Sequence, residues 1–226
     1  KIMDYVKKST GIVIIYSTFI EYGILQLALA LEYLGYSRFV EKSSNDFNLL
    51  DDPSVIKNSK LKYAMIASEN NQFINNVGSS KNISNILSLI NSDTNIYGEQ
   101  LKVLLITKKA SEGLSIFNVR EIHILDPWYH LYRIEQIIGR GIRFCSHIGL
   151  PKEERNVTIY LHTACENKVN DSIDSYIYRI AEEKANLIGS IETVLKENSI
   201  DCFLNKQINI IKKHDILPVN LKTSRR

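Results

Sequence analysis

Five short apolar runs punctuate this chain: GIVIIYS (11–17), YAMIAS (63–68), VLLIT (103–107), EIHILD (121–126) and VTIYLH (157–162). They are rich in β-branched and aromatic residues, and none exceeds seven residues, too short for a buried helix. A run that is apolar almost throughout has no solvent face, so it fits a strand buried on both sides, as in a parallel sheet covered by helices. Helical patterns separate the runs at about 20–34, 81–91, 131–143 and 170–197. The first of them places Ile20, Ile24, Leu27, Leu31 and Leu34 on one face. Alternation of this kind predicts a doubly wound α/β domain.

In such a sheet ligands bind beyond the carboxyl ends of the strands. Ser17 and Thr18, Ser68 and Glu69, Thr107 and Lys108, and Asp126 all fall at those ends. One polar edge results, suited to a nucleotide or a nucleic acid. Close by lies QIIGRGIRF, residues 136–144. On a helix, Arg140 and Arg143 leave the same face and can converge on one polyanion. Gln136 shares the stripe of Arg140, and Gly139 leaves room for close backbone approach. Two arginines on a solvated helix are the plainer reading, but the surrounding order of strands and loops favours a phosphate clamp.

From Lys102 to Phe144 the chain reads KVLLITKKASEGLSIFNVREIHILDPWYHLYRIEQIIGRGIRF. This resembles the joined motifs V and VI of superfamily 2 helicases and translocases. Thr107, Gly113, Gln136, Gly139, Arg140 and Arg143 occupy the places of that family's strand-end threonine, loop glycine and Q/H-x-x-G-R-x-x-R helix. The words EGLS, DPW and IIGRGIRFCSH, followed by LPKEERNVTIY, look most like the transcription-associated helicases of large cytoplasmic DNA viruses. Within that group the chain resembles the poxvirus early-transcription-factor small subunit and nucleoside triphosphatase type, together with their counterparts in related virus families. The likeness covers about residues 10–205 and is strongest over 102–162.

The resemblance implies a RecA-like helicase C-terminal lobe at 1–165 carrying motifs IV, V and VI, with a helical C-terminal extension at 166–226. Arg143 is then the first candidate for an arginine finger and Arg140 the second, with Gln136 positioning water or touching phosphate. Gly113, Glu112 and Gly139 would border the nucleotide. Many relatives have G-[IL]-D where this chain has Gly113, Leu114 and Ser115, so the aspartate's contact to ribose or arginine is in doubt; Glu112 is the candidate substitute. Ser17 and Thr18 take the place of motif IV, and Thr107 that of the phosphate-contacting threonine. Lys108 and Lys109 could extend a nucleic-acid track, and Trp128 could stack a base or pack on the motif VI helix.

The chain contains no G-x-x-x-x-G-K-[ST] loop and no D-E-x-[HD] sequence. VGSSKN at 77–82 lacks the Gly-Lys pair, and Asp51-Asp52 and Glu153-Glu154 follow no strand. ATP and Mg²⁺ are therefore expected to be held mainly by an N-terminal RecA-like lobe of the same chain. The start at Lys1 fits a fragment of a longer protein, which alone should not hydrolyse ATP. DNA or RNA is the expected partner, with viral transcription subunits as others. A non-catalytic nucleic-acid-binding or protein-interaction module, and a repair or replication helicase of the same superfamily, are the competing functions.

A net charge of +3 over 226 residues is too mild to argue nucleic-acid binding by itself. No membrane partner is expected, since the longest apolar stretches are broken by Glu21, Glu32 or Lys108 before the roughly 18 residues a span requires. Cys145, Cys165 and Cys202 are odd in number and far apart, which fits a reducing compartment; with the resemblance, that means virion and host cytoplasm. Cys145, His147, His162 and Cys165 lack zinc-finger spacing, so no metal site is expected. Residues 41–60 and 92–100 read as exposed loops, and the end in KTSRR should fray. Over 169–204 an apolar stripe of Ile173, Ile177, Ile180, Leu187, Ile191 and Leu195 predicts one or two helices folded back on the sheet, with a partner-binding surface as the other reading.

Overall fold

The computed structural model describes residues 1–39, 61–67, 80–108, 114–164, 172–202 and 204. Ser68, Glu69, Lys109, Glu112, Gly113 and Cys165, along with the stretch 41–60, lie outside them. Among the described residues one sheet is formed by β1 (Ile12–Tyr16), β2 (Ser37–Arg38), β3 (Lys62–Ile66), β4 (Val103–Ile106), β5 (Val119–Ile124) and β6 (Thr158–Leu161). All neighbours are parallel, in the order β2-β3-β4-β1-β5-β6. This is the expected doubly wound α/β arrangement. The central β1 pairs with β4 on one side and β5 on the other, Ile14 lying opposite both Leu104 and Ile122.

Alternate residues of these strands feed two cores. Ile12, Ile14 and Tyr16 of β1 join Leu104, Ile106, Ile122 and Ile124 beneath α3 (Ser80–Ile90) and α4 (Leu131–Gly141), which contribute Ile86, Ile90, Ile134 and Ile137. Val13 and Ile15 face the other way, with Val103 and Leu105, against α1 (Ile2–Lys8) and α2 (Leu25–Tyr33). A strand sandwiched in this manner has no solvent side, which is why its sequence shows no polar alternation. The short helix α1 was not expected, being only seven residues long, below the length at which helices persist alone; burial of Val6 in the second core holds it.

Four further expectations are corrected by the packing. A π-helical turn, Ile20–Ile24, precedes α2, and Gly23 within it approaches Ser17 so closely that a Cβ would come within 2.1 Å of the serine Oγ. The helix expected to reach residue 143 stops at Gly141, where an added Cβ would lie 3.2 Å from Val119 and Ile122; Ile142 then turns extended (φ −116°, ψ 91°). Residues 92–100 are not merely an exposed loop, because the fully buried amide of Asn95 accepts from the backbone N–H of Gln100 (2.9 Å) and Leu101 (2.8 Å) and donates to the Leu101 carbonyl (3.1 Å). Finally, β6 is an edge strand with Ile159 and Leu161 exposed, so it lacks the two-sided burial expected of it.

Residues 173–197 form one continuous helix, α5 (Ile173–Glu197), started by Ser172, whose hydroxyl accepts from the Ser175 N–H at 3.2 Å. It meets α4 over its first half, where Ala181 is buried. The stripe folds back only in part: Ile177 and Ile180 are half-buried and Tyr178 packs against the first core, whereas Ile173 is 78% exposed, Leu187 68%, Ile191 62% and Leu195 65%. No described helix is long and apolar enough to cross a membrane.

Candidate nucleotide and nucleic-acid site

The carboxyl edge of the sheet is organised around three anchors. The first ties β1 to β5. The Ser17 hydroxyl, fully buried, donates to Asp126 Oδ1 at 2.6 Å, and the Thr18 N–H donates to Asp126 Oδ2 at 2.8 Å. The Phe19 N–H donates back to Ser17 Oγ at 3.1 Å. Ser17 thus shapes the turn from inside, while Thr18 is the half-buried member of the pair nearer the surface. Asp126, which the sequence placed at the polar edge without a role, holds this turn with both carboxylate oxygens.

The second anchor is at β4. The side chain of Thr107 is buried, and its N–H donates to the Ile66 carbonyl at 3.1 Å, continuing the sheet one residue beyond the strand. Lys108 follows and lines a cavity of about 600 Å³ between α4 and α5, together with Gln136, Trp128, Arg133, Lys184 and Ile188. The Arg133 guanidinium lies 3.9 Å over the Trp128 ring, so the tryptophan packs against the α4 helix, the second of its two expected roles.

The third anchor holds Arg143. Because α4 ends at Gly141, Arg140 and Arg143 do not share a helical face, which corrects the clamp geometry expected from their spacing. Arg140 remains on the helix, half-buried; its Nε is buried without a hydrogen-bond partner, and its carbonyl accepts from the Ile116 N–H at 3.2 Å. Arg143 is exposed beyond the helix end. Its Nε donates to the Gly139 carbonyl at 3.1 Å, and its Nη1 donates to the Ser115 hydroxyl. The serine standing in the aspartate's place therefore reaches the arginine itself. Among the described residues none comes within 4 Å of where a Cβ on Gly139 would stand, so that face is open, whereas the tight backbone approach is at Gly141.

The loop carrying Ser115 is itself fixed. Asn91, just past the end of α3, donates through Nδ2 to the Ser115 carbonyl and accepts through Oδ1 from the Phe117 N–H, each at 2.9 Å. Leu114 and Ile116 are buried, so the loop is held by alternate side chains as well. Nothing in the sequence singled out Asn91, since a polar residue at a helix end is commonplace and its partners lie 24 and 26 residues away. Of the expected site residues, the structure joins Arg143 to Gly139 by a hydrogen bond, ties Ser17 and Thr18 to the same Asp126, and sets Gln136 and Lys108 in the lining of one cavity. Gln136 and Arg140 lie on α4, and Arg143 lies beyond its end.

The histidines considered for zinc have other partners. His147 Nε2 lies 2.7 Å from the Val119 carbonyl and its Nδ1 2.8 Å from Ser146 Oγ, while His162 Nε2 lies 2.9 Å from Nδ1 of the buried His123. Burial, then the neighbouring His123, pushes His162 down to about 4. Among the described residues no cluster of His, Cys, Asp and Glu is arranged to hold a metal ion.

No family model matches the chain. Among curated proteins it is 37% identical over 135 residues to a putative ATP-dependent RNA helicase of Acanthamoeba polyphaga mimivirus, covering 57% of this chain and 16% of that protein. It is 32% identical over 224 residues to the termination factor NPH-I homolog of African swine fever virus (88% of this chain, 32% of that one). A solved structure of the C-terminal part of the Fun30 ATPase domain superposes with a TM-score of 0.51 at 14% identity, covering 80% of this chain and 43% of that one. These likenesses are those of a superfamily 2 helicase C-terminal domain. The helicase lobe has the RecA-like α/β fold, as the solved neighbour shows. It spans about a third of the viral termination factor and less of the mimivirus helicase.

Proposed function

We propose that this lobe is the second half of a composite ATP site in a longer NTP-driven translocase or helicase. Arg143 is its arginine finger, and Arg140 and Gln136 are accessory phosphate-facing groups. The observation that carries the reading is the state of Arg143: exposed, beyond the helix end, yet gripped at Nε by Gly139 and at Nη1 by Ser115. A long cation ordinarily keeps about 2 kcal/mol of rotamer entropy at a surface, so one held at two points is preorganised for a charge outside the lobe. The donor set fits a triphosphate: guanidinium groups and an amide bind anions, and no described carboxylate cluster would hold Mg²⁺. ATP and Mg²⁺ would accordingly sit mainly on a facing lobe, with Gly113, Glu112 and Gly139 at the border. Bound there, the metal would neutralise phosphate charge alongside Arg143.

The viral relatives, named as a putative ATP-dependent RNA helicase and a termination factor homolog, support a role for the full-length protein in viral transcription. Virion and host cytoplasm, as its place of action, belong to the same proposal. Thr18 and Lys108, with the buried Ser17 and Thr107 shaping the strand ends beneath them, would present hydroxyl and ammonium groups to the phosphate backbone of DNA or RNA, so the direct phosphate contact expected of Thr107 is corrected to a supporting one. Division at 165/166 into lobe and helical extension belongs to the same reading. In the full-length protein, Arg143→Ala should lower kcat for ATP hydrolysis by about a hundredfold or more with KM little changed, because a finger acts on transition-state charge. Steady-state kinetics giving near-normal kcat with only KM raised would overturn the finger assignment.

A further inference from the structure

We infer that Asn91 is a positioning residue for Arg143, acting through the backbone of residues 115–117; the inference rests on the finger role proposed above. The chain of contacts is short. Asn91 presents a donor and an acceptor at once, Nδ2 to the Ser115 carbonyl and Oδ1 to the Phe117 N–H, both at 2.9 Å. This two-point grip satisfies the loop backbone as a neighbouring strand would. On its other side the loop is bonded through the Ile116 N–H to the Arg140 carbonyl of α4. Ser115 is therefore suspended between the end of α3 and the helix that carries Arg140. Its hydroxyl then receives Nη1 of Arg143.

The chemistry explains why an asparagine stands there. An aspartate would still accept from the Phe117 N–H but would set a carboxylate against the Ser115 carbonyl, turning one attraction into a repulsion. Alanine would remove both bonds, and glutamine would carry the amide one methylene too far. With Ile116 still bonded to Arg140, losing the Asn91 grip loosens Ser115 and Phe117 on either side of it, and so weakens the Ser115 hold on Arg143 while the Gly139 carbonyl keeps its own. A guanidinium held at one point rotates, and a reacting geometry lost by as little as about 1 Å can cost a hundredfold in rate. The loss falls on the chemical step rather than on ATP binding, which sets it apart from a general weakening of the fold.

The test is a set of cycles in the full-length protein, comparing wild type with Asn91→Asp, Ser115→Ala, Arg143→Ala and the double variants. Asn91→Asp and Ser115→Ala should each lower kcat for ATP hydrolysis roughly tenfold with KM for ATP within about twofold. Each double variant with Arg143→Ala should be no slower than Arg143→Ala alone, because residues acting through one group are not additive. Full additivity of Asn91→Asp with Arg143→Ala, or an unchanged kcat in both Asn91→Asp and Ser115→Ala while Arg143→Ala is slow, would overturn the positioning role and leave the finger standing. A near-normal kcat in Arg143→Ala would overturn both. Should Asn91→Asp fold poorly by circular dichroism, the Ser115→Ala cycle tests the same coupling one bond further along.

Discussion

Strand β4 and the distal half of helix α5 are built from the same apolar residues and meet opposite ends. Val103, Leu104, Leu105 and Ile106 lose all contact with solvent. Leu187, Ile191 and Leu195 keep about two thirds of theirs. Both segments are unambiguous in the sequence, one as a short continuous run and the other as a stripe at helical spacing. The difference is in what lies opposite. β4 has strands on both edges and helices on both faces, so each of its side chains removes area from water at about 25 cal/mol per Å². A 25-residue helix extends about 37 Å, far beyond strands of four to six residues, so only its first half finds a surface to cover. Periodicity thus reports which face of an element is apolar, while burial depends on a partner it does not encode.

Substitutions can break or sharpen that contrast. Leu105→Ala should cost about 2–5 kcal/mol of unfolding free energy, the range for deleting a fully buried leucine that leaves a cavity. Urea denaturation followed by circular dichroism measures it, and a loss under about 1 kcal/mol would mean that the sheet core repacks easily.

The half-buried His162 should lie between the extremes. Its folded form takes up a proton only near 4, whereas the unfolded chain does so near the ordinary 6.5. Between those values the unfolded state binds more protons, so stability is full above about pH 6.5 and declines as pH falls toward 4. Discounted for its partial exposure, the loss should be about 1–2 kcal/mol. Denaturation at several pH values should show a flatter profile in His162→Gln; identical profiles would place the titration elsewhere.

Ile191→Ala should be the smallest effect, within about 0.5 kcal/mol, as for an exposed position without special features. A loss near that of Leu105→Ala would show that α5 is covered in solution and dissolve the contrast.

Among the strands, β1, β3, β4, β5 and β6 fell within two residues of where their apolar runs placed them, because short runs rich in β-branched and aromatic residues mark a strand whether or not both of its faces are buried. Two elements escaped notice for a common reason. The helix α1 has seven residues and β2 has two, lengths at which local propensity means little and only contact with α2, β3 or the core sustains structure. The candidate site was legible as a set of residue types at strand ends. Its wiring was not, since Asp126 reaches Ser17 across 109 positions and Asn91 reaches Ser115 across 24.

By itself the sequence determined the α/β layering, the polar carboxyl edge and the presence of Gln136, Gly139, Arg140 and Arg143, because hydrophobic period and residue chemistry are local properties. Only the tertiary structure decided that α4 ends at Gly141, where Val119 and Ile122 press against a residue without a side chain, and that Arg143 therefore leaves the helix for Ser115. Helix ends and side-chain partners are chosen by packing across distant segments. No spacing rule within a single helix could have carried that information.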